Sequence, residues 1–164
     1  MAKIAAEWTR GVLTDRELSM ISDFEMTHTI DDITLVHASP FEPDRWHYIL
    51  SPAEAVVAFE YFRGTLCFHG HSHVPMIFSE SPEGPPRQKA AHDFQPFEES
   101  RYLINIGSVG QPRDTDPRAC YVTFDTETRD ICYRRVEYDV ALTQEKMAKA
   151  SLPKMLIERL AVGR

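Results

Sequence analysis

The sequence predicts an α/β fold in which a mixed β-sheet is flanked by helices. Helical and strand-like segments alternate in the first half of the chain, whereas three strand-like runs follow one another in the second half. Alternation favours parallel strands joined by helices, and consecutive strands favour antiparallel pairing. The 164 residues, 43% of them hydrophobic, are enough for one packed domain spanning residues 1–164.

Local signals define the elements that precede the middle of the chain. Apolar residues recur every four positions in segment 4–12, which predicts an amphipathic helix. A capping box in segment 14–17 opens a second helix. Segments 26–30 and 33–36 flank two aspartates and predict a hairpin.

Later elements follow from similar signals. A second capping box, in segment 51–54, opens a helix that we expect to end at Gly64, and a buried strand follows it. Segment 80–100 contains a Ser-Pro-Glu-Gly-Pro-Pro run and predicts a surface loop without regular structure. The remaining expected elements are strands at 102–106, 119–124 and 131–138, the last two forming a hairpin, and helices at 140–150 and 153–161.

Composition argues against several classes of partner and location. The net charge of −7 disfavours non-specific nucleic-acid binding. No apolar run approaches the ~20 residues of a membrane span, and the first residues lack the pattern of a signal peptide. Three cysteines do not suggest a disulfide framework; Cys120 and Cys132 could face each other across the hairpin, but we expect thiols. These observations predict a cytoplasmic protein.

A histidine-rich loop follows the strand that ends near Phe68. His69, His71 and His73 occupy alternate positions there, and Gly70 allows the backbone to turn. Neutral imidazole is the commonest metal ligand in proteins, so the spacing predicts a metal site. A strand cap with two solvated histidines is the alternative interpretation.

Two further segments carry polar residues at strand ends. His37 directly follows the apolar run 33–36, and segment 105–113 (Asn-Ile-Gly-Ser-Val-Gly-Gln-Pro-Arg) follows the strand expected at 102–106. In this order, the strand-His, the Gly-His-x-His loop and the Asn-x-Gly-Ser-x-Gly-Gln-Pro-Arg turn resemble the calcineurin-like metallophosphoesterases. The likeness is greatest to their small bacterial and archaeal phosphodiesterase branch.

The family's early motifs do not occur in this sequence. Its members carry Asp-x-His, Gly-Asp-x-x-Asp and Gly-Asn-His before the strand-His, and the only glycine ahead of His37 is Gly11. The chain is therefore similar to the C-terminal part of a metallophosphoesterase-type sandwich, a single partial domain. A late start, a truncation and a true loss of the motifs remain alternatives.

The resemblance implies a metal-dependent phosphoesterase that hydrolyses phosphomonoesters or phosphodiesters at a dinuclear site. His37 and His71 would bind one divalent ion and His73 the other. Mixed His, Asp and Asn ligands would imply Mn²⁺, with Fe²⁺ or Zn²⁺ as alternatives, since imidazole disfavours Mg²⁺ and Ca²⁺. Arg113 would contact the phosphate; a surface ion pair with Asp114 or Asp116 is its alternative role.

Several roles and functions stay open at this level. His69 either reaches the metals or orients a neighbouring ligand, and Trp46 and His47 either stack on an aromatic part of the substrate or pack. A non-catalytic binding or scaffold module on the same fold and an unrelated histidine-rich metal-binding protein are the competing functions. Without the family's early strands, an uncovered sheet edge and the apolar face of Trp8 would favour a homo-oligomer.

Overall fold

A computed structural model describes residues 2–164, which form an α/β structure with two sheets. The elements are α1 (Ala2–Val12), α2 (Asp15–Ser22), β1 (Thr27–Ile30), β2 (Ile33–Val36), α3 (Pro52–Phe59), β3 (Leu66–His69), β4 (Met76–Ser81), β5 (Gly84–Ala90), β6 (Arg101–Asn105), β7 (Ala119–Phe124), β8 (Ile131–Val136), α4 (Val140–Lys149) and α5 (Lys154–Glu158), with short 3₁₀ turns at Pro43–Arg45 and Arg159–Ala161.

The main sheet is mixed, as the sequence predicts. Its six strands lie in the order β1-β2-β3-β6-β4-β5, and β7 pairs with β8 in a separate two-stranded sheet. Strands β2, β3 and β6 are parallel, whereas β1, β4 and β5 join by antiparallel pairing. The parallel centre brings the ends of three strands to one edge.

Alternating side chains on the central strands build two cores on opposite faces of this sheet. On one face Cys67 and Leu103 pack with Phe59 of α3. On the other, Leu66 and Ile104 pack with Ile131 of β8. The sheet is thus held between α3 and the β7–β8 hairpin.

Both expected capping boxes are present and fix the starts of α2 and α3. Thr14 accepts from the backbone of Glu17 while Glu17 accepts from the backbone of Thr14, and Ser51 and Glu54 repeat the arrangement. These local contacts satisfy backbone groups that a helix start leaves free.

Two expected boundaries are wrong. Segment 80–100 is not wholly a loop, because β5 pairs with β4 through Gly84 to Ala90. Pro85 and Pro86 are tolerated within β5 because it is the last strand of the sheet, where a missing N–H need not break a hydrogen bond of the ladder. Helix α3 ends at Phe59 rather than at Gly64, since the chain there turns so that Arg101 donates to the carbonyls of Phe62 and Gly64.

The two cysteines of the hairpin do not face each other. Cys120 is opposite Arg135, and Cys132 is opposite Thr123. All three cysteines of the chain are free thiols.

The helices are short. The longest of those described has 11 residues, and none between residues 2 and 164 has the length and apolar character needed to cross a bilayer.

Candidate functional site

The predicted site residues meet at the carboxyl edge of the parallel strands. His37 follows β2, His69 is the last residue of β3, and Asn105 is the last residue of β6. His71 and His73 lie in the loop directly after β3. Loops at this edge of an α/β sheet are the usual place for a binding site.

Backbone geometry brings the histidines together. The amide of Gly70 donates to the carbonyl of His37 at 2.9 Å, which joins the loop after β3 to the end of β2. His71 and His73 both have left-handed backbones, with φ of 63° and 62°. The rings of His37 and His71 contact edge-on, with centroids 5.3 Å apart.

Burial favours the neutral form of these histidines. The pKa values of His37, His71 and His73 are all lowered, in each case chiefly by burial. The positive charges of neighbouring histidines lower the pKa of His71 and His73 further. The neutral ring is the form that binds a metal.

A hydrogen bond orients His73. Its Nδ1 lies 2.7 Å from the carbonyl oxygen of Gln111, so Nδ1 carries the proton and the Nε2 lone pair is left free. This carbonyl support is the arrangement that commonly fixes a metal-binding imidazole. Gln111 belongs to the Gly-Gln-Pro-Arg turn, which links the second and third sequence motifs.

The side chain of Asn105 holds the histidine loop through hydrogen bonds. Its amide nitrogen donates to the carbonyl of Gly70 at 2.7 Å and to the hydroxyl of Ser72 at 2.9 Å. Its carbonyl oxygen accepts from the amide of Gly107 at 3.0 Å. One buried side chain therefore connects the loop after β3 with the turn after β6.

His69 lies beneath the cluster and is only 2% exposed. Its Nδ1 is 3.4 Å from the amide nitrogen of Asn105, and its Nε2 has no hydrogen-bond partner within residues 2–164. Burial lowers its pKa to about 4. The contact with Asn105 is the one expected of a residue that supports the loop.

Two guanidinium groups lie beside the histidines. Arg113 lowers the pKa of both His71 and His73, and Arg159 lowers that of His73. The alternative ion pairs of Arg113 are not formed in the described chain, because Asp114 pairs with Arg135 and Asp116 with Arg118. The Nε of Arg113 is buried there without a hydrogen-bond partner.

Sequence reasoning missed Arg159. It donates to the side-chain oxygen of Gln111 at 3.3 Å, and its pKa is lowered by burial and by the nearby charge of Arg113. It comes from the C-terminal 3₁₀ turn, 46 positions after Arg113. No local motif marks it, so only the tertiary fold reveals its place.

The donor chemistry fits only part of a metal site. Neutral imidazoles suit divalent transition metals, yet within residues 2–164 no three or more His, Cys, Asp or Glu side chains are grouped so that they could hold a metal ion. The assignment of His37, His71 and His73 as ligands stays a prediction, and carboxylate ligands would have to join them.

Several known proteins are similar to this chain. A metallophosphoesterase from Sphaerobacter thermophilus is 37% identical and has a TM-score of 0.88, over 98% of this chain and 68% of that protein. An uncharacterized protein of Methanocaldococcus jannaschii is 37% identical over 169 aligned positions, which are 98% of this chain. A hypothetical protein from Pyrococcus horikoshii shares the fold, with 17% identity and a TM-score of 0.62 over 89% of this chain and 54% of that protein. No family model matches the sequence.

The chain is shorter than these relatives. It spans 65% of the Methanocaldococcus jannaschii protein. About a third of that protein's length therefore lies outside the part that matches this chain.

Proposed function

The chain belongs to the calcineurin-like metallophosphoesterases, and from that premise we propose that it contributes the histidine half of a metal-dependent phosphoesterase site. The reaction would be hydrolysis of a phosphomonoester or phosphodiester. The observation that carries the proposal is the meeting of His37, His71 and His73 with Arg113 at one sheet edge.

His37 and His71 would hold one divalent ion of the site, and His73 would hold the other. When bound, a divalent ion polarises the phosphoryl oxygen and lowers the pKa of water. Burial keeps the three rings neutral, and the Gln111 carbonyl fixes the proton of His73 on Nδ1. Mn²⁺ is the ion we expect, since imidazoles disfavour Mg²⁺ and Ca²⁺.

Arg113 and Arg159 would bind a phosphate oxygen that faces away from the metal ions. Arg113 and Arg159 lie close enough for the charge of one to lower the pKa of the other. Placing two cations together is unfavourable unless an anion joins them. A phosphate oxygen between the two guanidiniums would accept charge-assisted hydrogen bonds and hold the phosphorus against the histidines.

The test is metal binding combined with turnover. We expect the full chain to bind Mn²⁺ and His73→Ala to lower its affinity at least ~10-fold, because a ligand is lost. His92→Ala is the matched control. His92 also has its Nδ1 against a backbone carbonyl, that of Ala90 at 2.8 Å, but it is exposed and outside the site. Equilibrium dialysis of Mn²⁺ and hydrolysis of an aryl phosphodiester are measured on all three proteins.

The outcomes separate the possibilities. Metal binding and turnover that both depend on His73 support the proposal and require further ligands from another chain or segment. If Mn²⁺ binds equally to wild type and to both variants, the assigned ligands are wrong.

One observation favours a second function, a non-catalytic binding module on the same fold. Within the described chain no three or more His, Cys, Asp or Glu side chains, these three histidines included, are grouped so that they could hold a metal ion. This alternative expects phosphate or metal binding without any turnover, in the isolated chain and in the presence of a partner.

We place this function in the cytoplasm. The three cysteines are free thiols, the state that a reducing compartment maintains.

A further inference from the structure

An aromatic pair lies beside the histidines, on the loop that follows β2. The ring of Tyr48 stacks on His71 with centroids 4.3 Å apart. The ring of Trp46 contacts His37 edge-on at 5.0 Å and lies 5.8 Å from His71. We call Trp46 and Tyr48 the aromatic platform.

Both members of the platform keep about half of their surface free. Each is 46% exposed, whereas the core residue Phe59 is 2% exposed. Packing against the histidines therefore accounts for only one part of each ring. The remaining surface is available to a planar group.

The loop holds Trp46 in an unfavourable backbone conformation. Its φ is 58° and its ψ 40°, left-handed values that bulky side chains seldom adopt. Glu42, at the other end of the 3₁₀ turn, is also left-handed, with φ of 43°. Two strained residues in one short loop persist only where the surrounding contacts fix them.

Those contacts are present. His47 pairs with Glu42 at 3.0 Å and stacks on Phe41 with centroids 5.2 Å apart. Phe41 packs in turn on Tyr61 at 4.7 Å. The position of Trp46 is thus set by its neighbours before any ligand arrives.

We propose that the aromatic platform stacks on a planar ring attached to the phosphate, so that the substrates are phosphoesters of a nucleoside or of an aryl alcohol. The inference rests on the proposed function, because the platform adjoins the cluster formed by His71 and the two guanidinium groups of Arg113 and Arg159. An anion held by that cluster would carry its ester group next to Trp46. Stacking on tryptophan tolerates any flat ring, so recognition would not depend on the identity of the base.

The test is calorimetric binding to the full chain without metal. Four probes are used: AMP, ribose 5-phosphate, adenosine and phenyl phosphate. We expect AMP to bind roughly tenfold more tightly than ribose 5-phosphate, since stacking adds to the phosphate contact. A matching gain for phenyl phosphate would mean that any aryl ester suffices, and a gain for AMP alone would assign the platform to nucleosides.

Two tryptophans allow a matched control. Trp46→Leu should remove the preference for AMP and leave ribose 5-phosphate binding unchanged. Trp46→Phe should retain most of the preference, because an aromatic face remains. Trp8→Leu makes the same change at a tryptophan that is 41% exposed on α1, and it should have no effect on any probe.

The remaining outcomes decide against one idea or both. Equal affinity for AMP and ribose 5-phosphate, or an equal loss of both in Trp46→Leu, overturns the platform and leaves the phosphate site intact. Adenosine binding that depends on Trp46, without ribose 5-phosphate binding, supports the platform and contradicts the phosphate site. If no probe binds, both are overturned.

Discussion

At the scale of single residues, the buried side chain of Asn105 connects the separate segments that carry the site. It is 1% exposed, and its amide bonds to two points of the histidine loop and one of the following turn. A buried polar group left without its partner costs more than the bond itself contributes. The positions of His71 and His73 therefore depend on a side chain behind them.

Replacing Asn105 tests this dependence. Asn105→Leu should lower the free energy of unfolding by about 2–3 kcal/mol, because the Gly70 carbonyl and the Gly107 amide lose their partner inside the protein. Urea denaturation measures the change. Gln95→Leu is the control, since that exposed amide makes one bond of 3.3 Å to Thr128, and its loss should stay within about 0.5 kcal/mol. Equal effects of the two substitutions would show that Asn105 does not hold the loop.

Gly107 gives a second prediction at this scale. Its φ is 79°, and a Cβ there would lie 2.7 Å from the side chain of Cys120. Gly107→Ala should therefore destabilise the protein, by about 1–3 kcal/mol. Gly110→Ala, with nothing within 4 Å of the added carbon, should be neutral or slightly stabilising. Thermal unfolding of both variants measures the contrast, and a tolerated Gly107→Ala would mean that the turn can move.

Some of this site was predictable from residues alone. His37, His71 and His73 stand at strand ends in the sequence, and the structure places all of them at one edge of the sheet. The closeness of Gly107 to the side chain of Cys120 follows instead from how the turn after β6 packs on β7. Arg159 and the bonds of Asn105 depend on packing between distant segments, which local patterns do not encode.

At the scale of elements, one ion pair joins two distant turns. Arg129, at the tip of the β7–β8 hairpin, donates to both carboxylate oxygens of Asp32 and to the hydroxyl of Thr65. Asp32 lies in the turn between β1 and β2. This contact fixes the second sheet against the edge of the first.

The ion pair of Asp32 and Arg129 predicts that the stability of the protein depends on pH. Hydrogen bonding to Arg129 is the main cause that lowers the pKa of Asp32. Because the folded pKa lies below the unfolded one, near 3.9, the stabilisation is full above that value and is lost as the pH falls through the folded pKa. Arg129→Met should lower the free energy of unfolding by about 1 kcal/mol at pH 7. The value is modest because both side chains of the pair are about one-third exposed.

Urea denaturation at pH 7 and at pH 3 measures this dependence. The difference in the free energy of unfolding between wild type and Arg129→Met should be smaller at pH 3 than at pH 7. Arg134→Met is the control on the same hairpin. Its pair with Asp93 is longer, at 3.5 Å, and more exposed, so its loss should be nearly neutral at both values. A pH-independent difference for Arg129→Met would assign its role to contact with Phe124 instead.

Local signals determined most of the elements. The two capping boxes and the hairpin turns depend on residues within a few positions, and all appear where the sequence predicts them. Strand β5 was missed because its prolines disfavour a strand locally, while pairing with β4 at the end of the sheet permits one. Such a strand is specified by its neighbour rather than by its own composition.

At the scale of the whole molecule, the first part of the chain is the least packed. No side chain in residues 3–33 is buried. Apolar Ile4, Trp8 and Val12 of α1 are between 41% and 56% exposed. Strand β1 ends the main sheet, and all four of its residues are exposed. An exposed apolar helix face and an open strand edge each favour association with another polypeptide.

We propose that a second copy covers this edge when the 164-residue chain is alone. Sedimentation velocity at increasing concentration should then show self-association. Ile30→Lys should weaken it, because a charge on an edge strand opposes pairing. Val136→Lys is the control, since Val136 is an equally apolar strand residue, 46% exposed against 49% for Ile30, but lies on β8 of the other sheet. A chain that stays monomeric at every concentration would mean that the exposed helices and edge need no partner, and an equal effect of both variants would place the contact elsewhere.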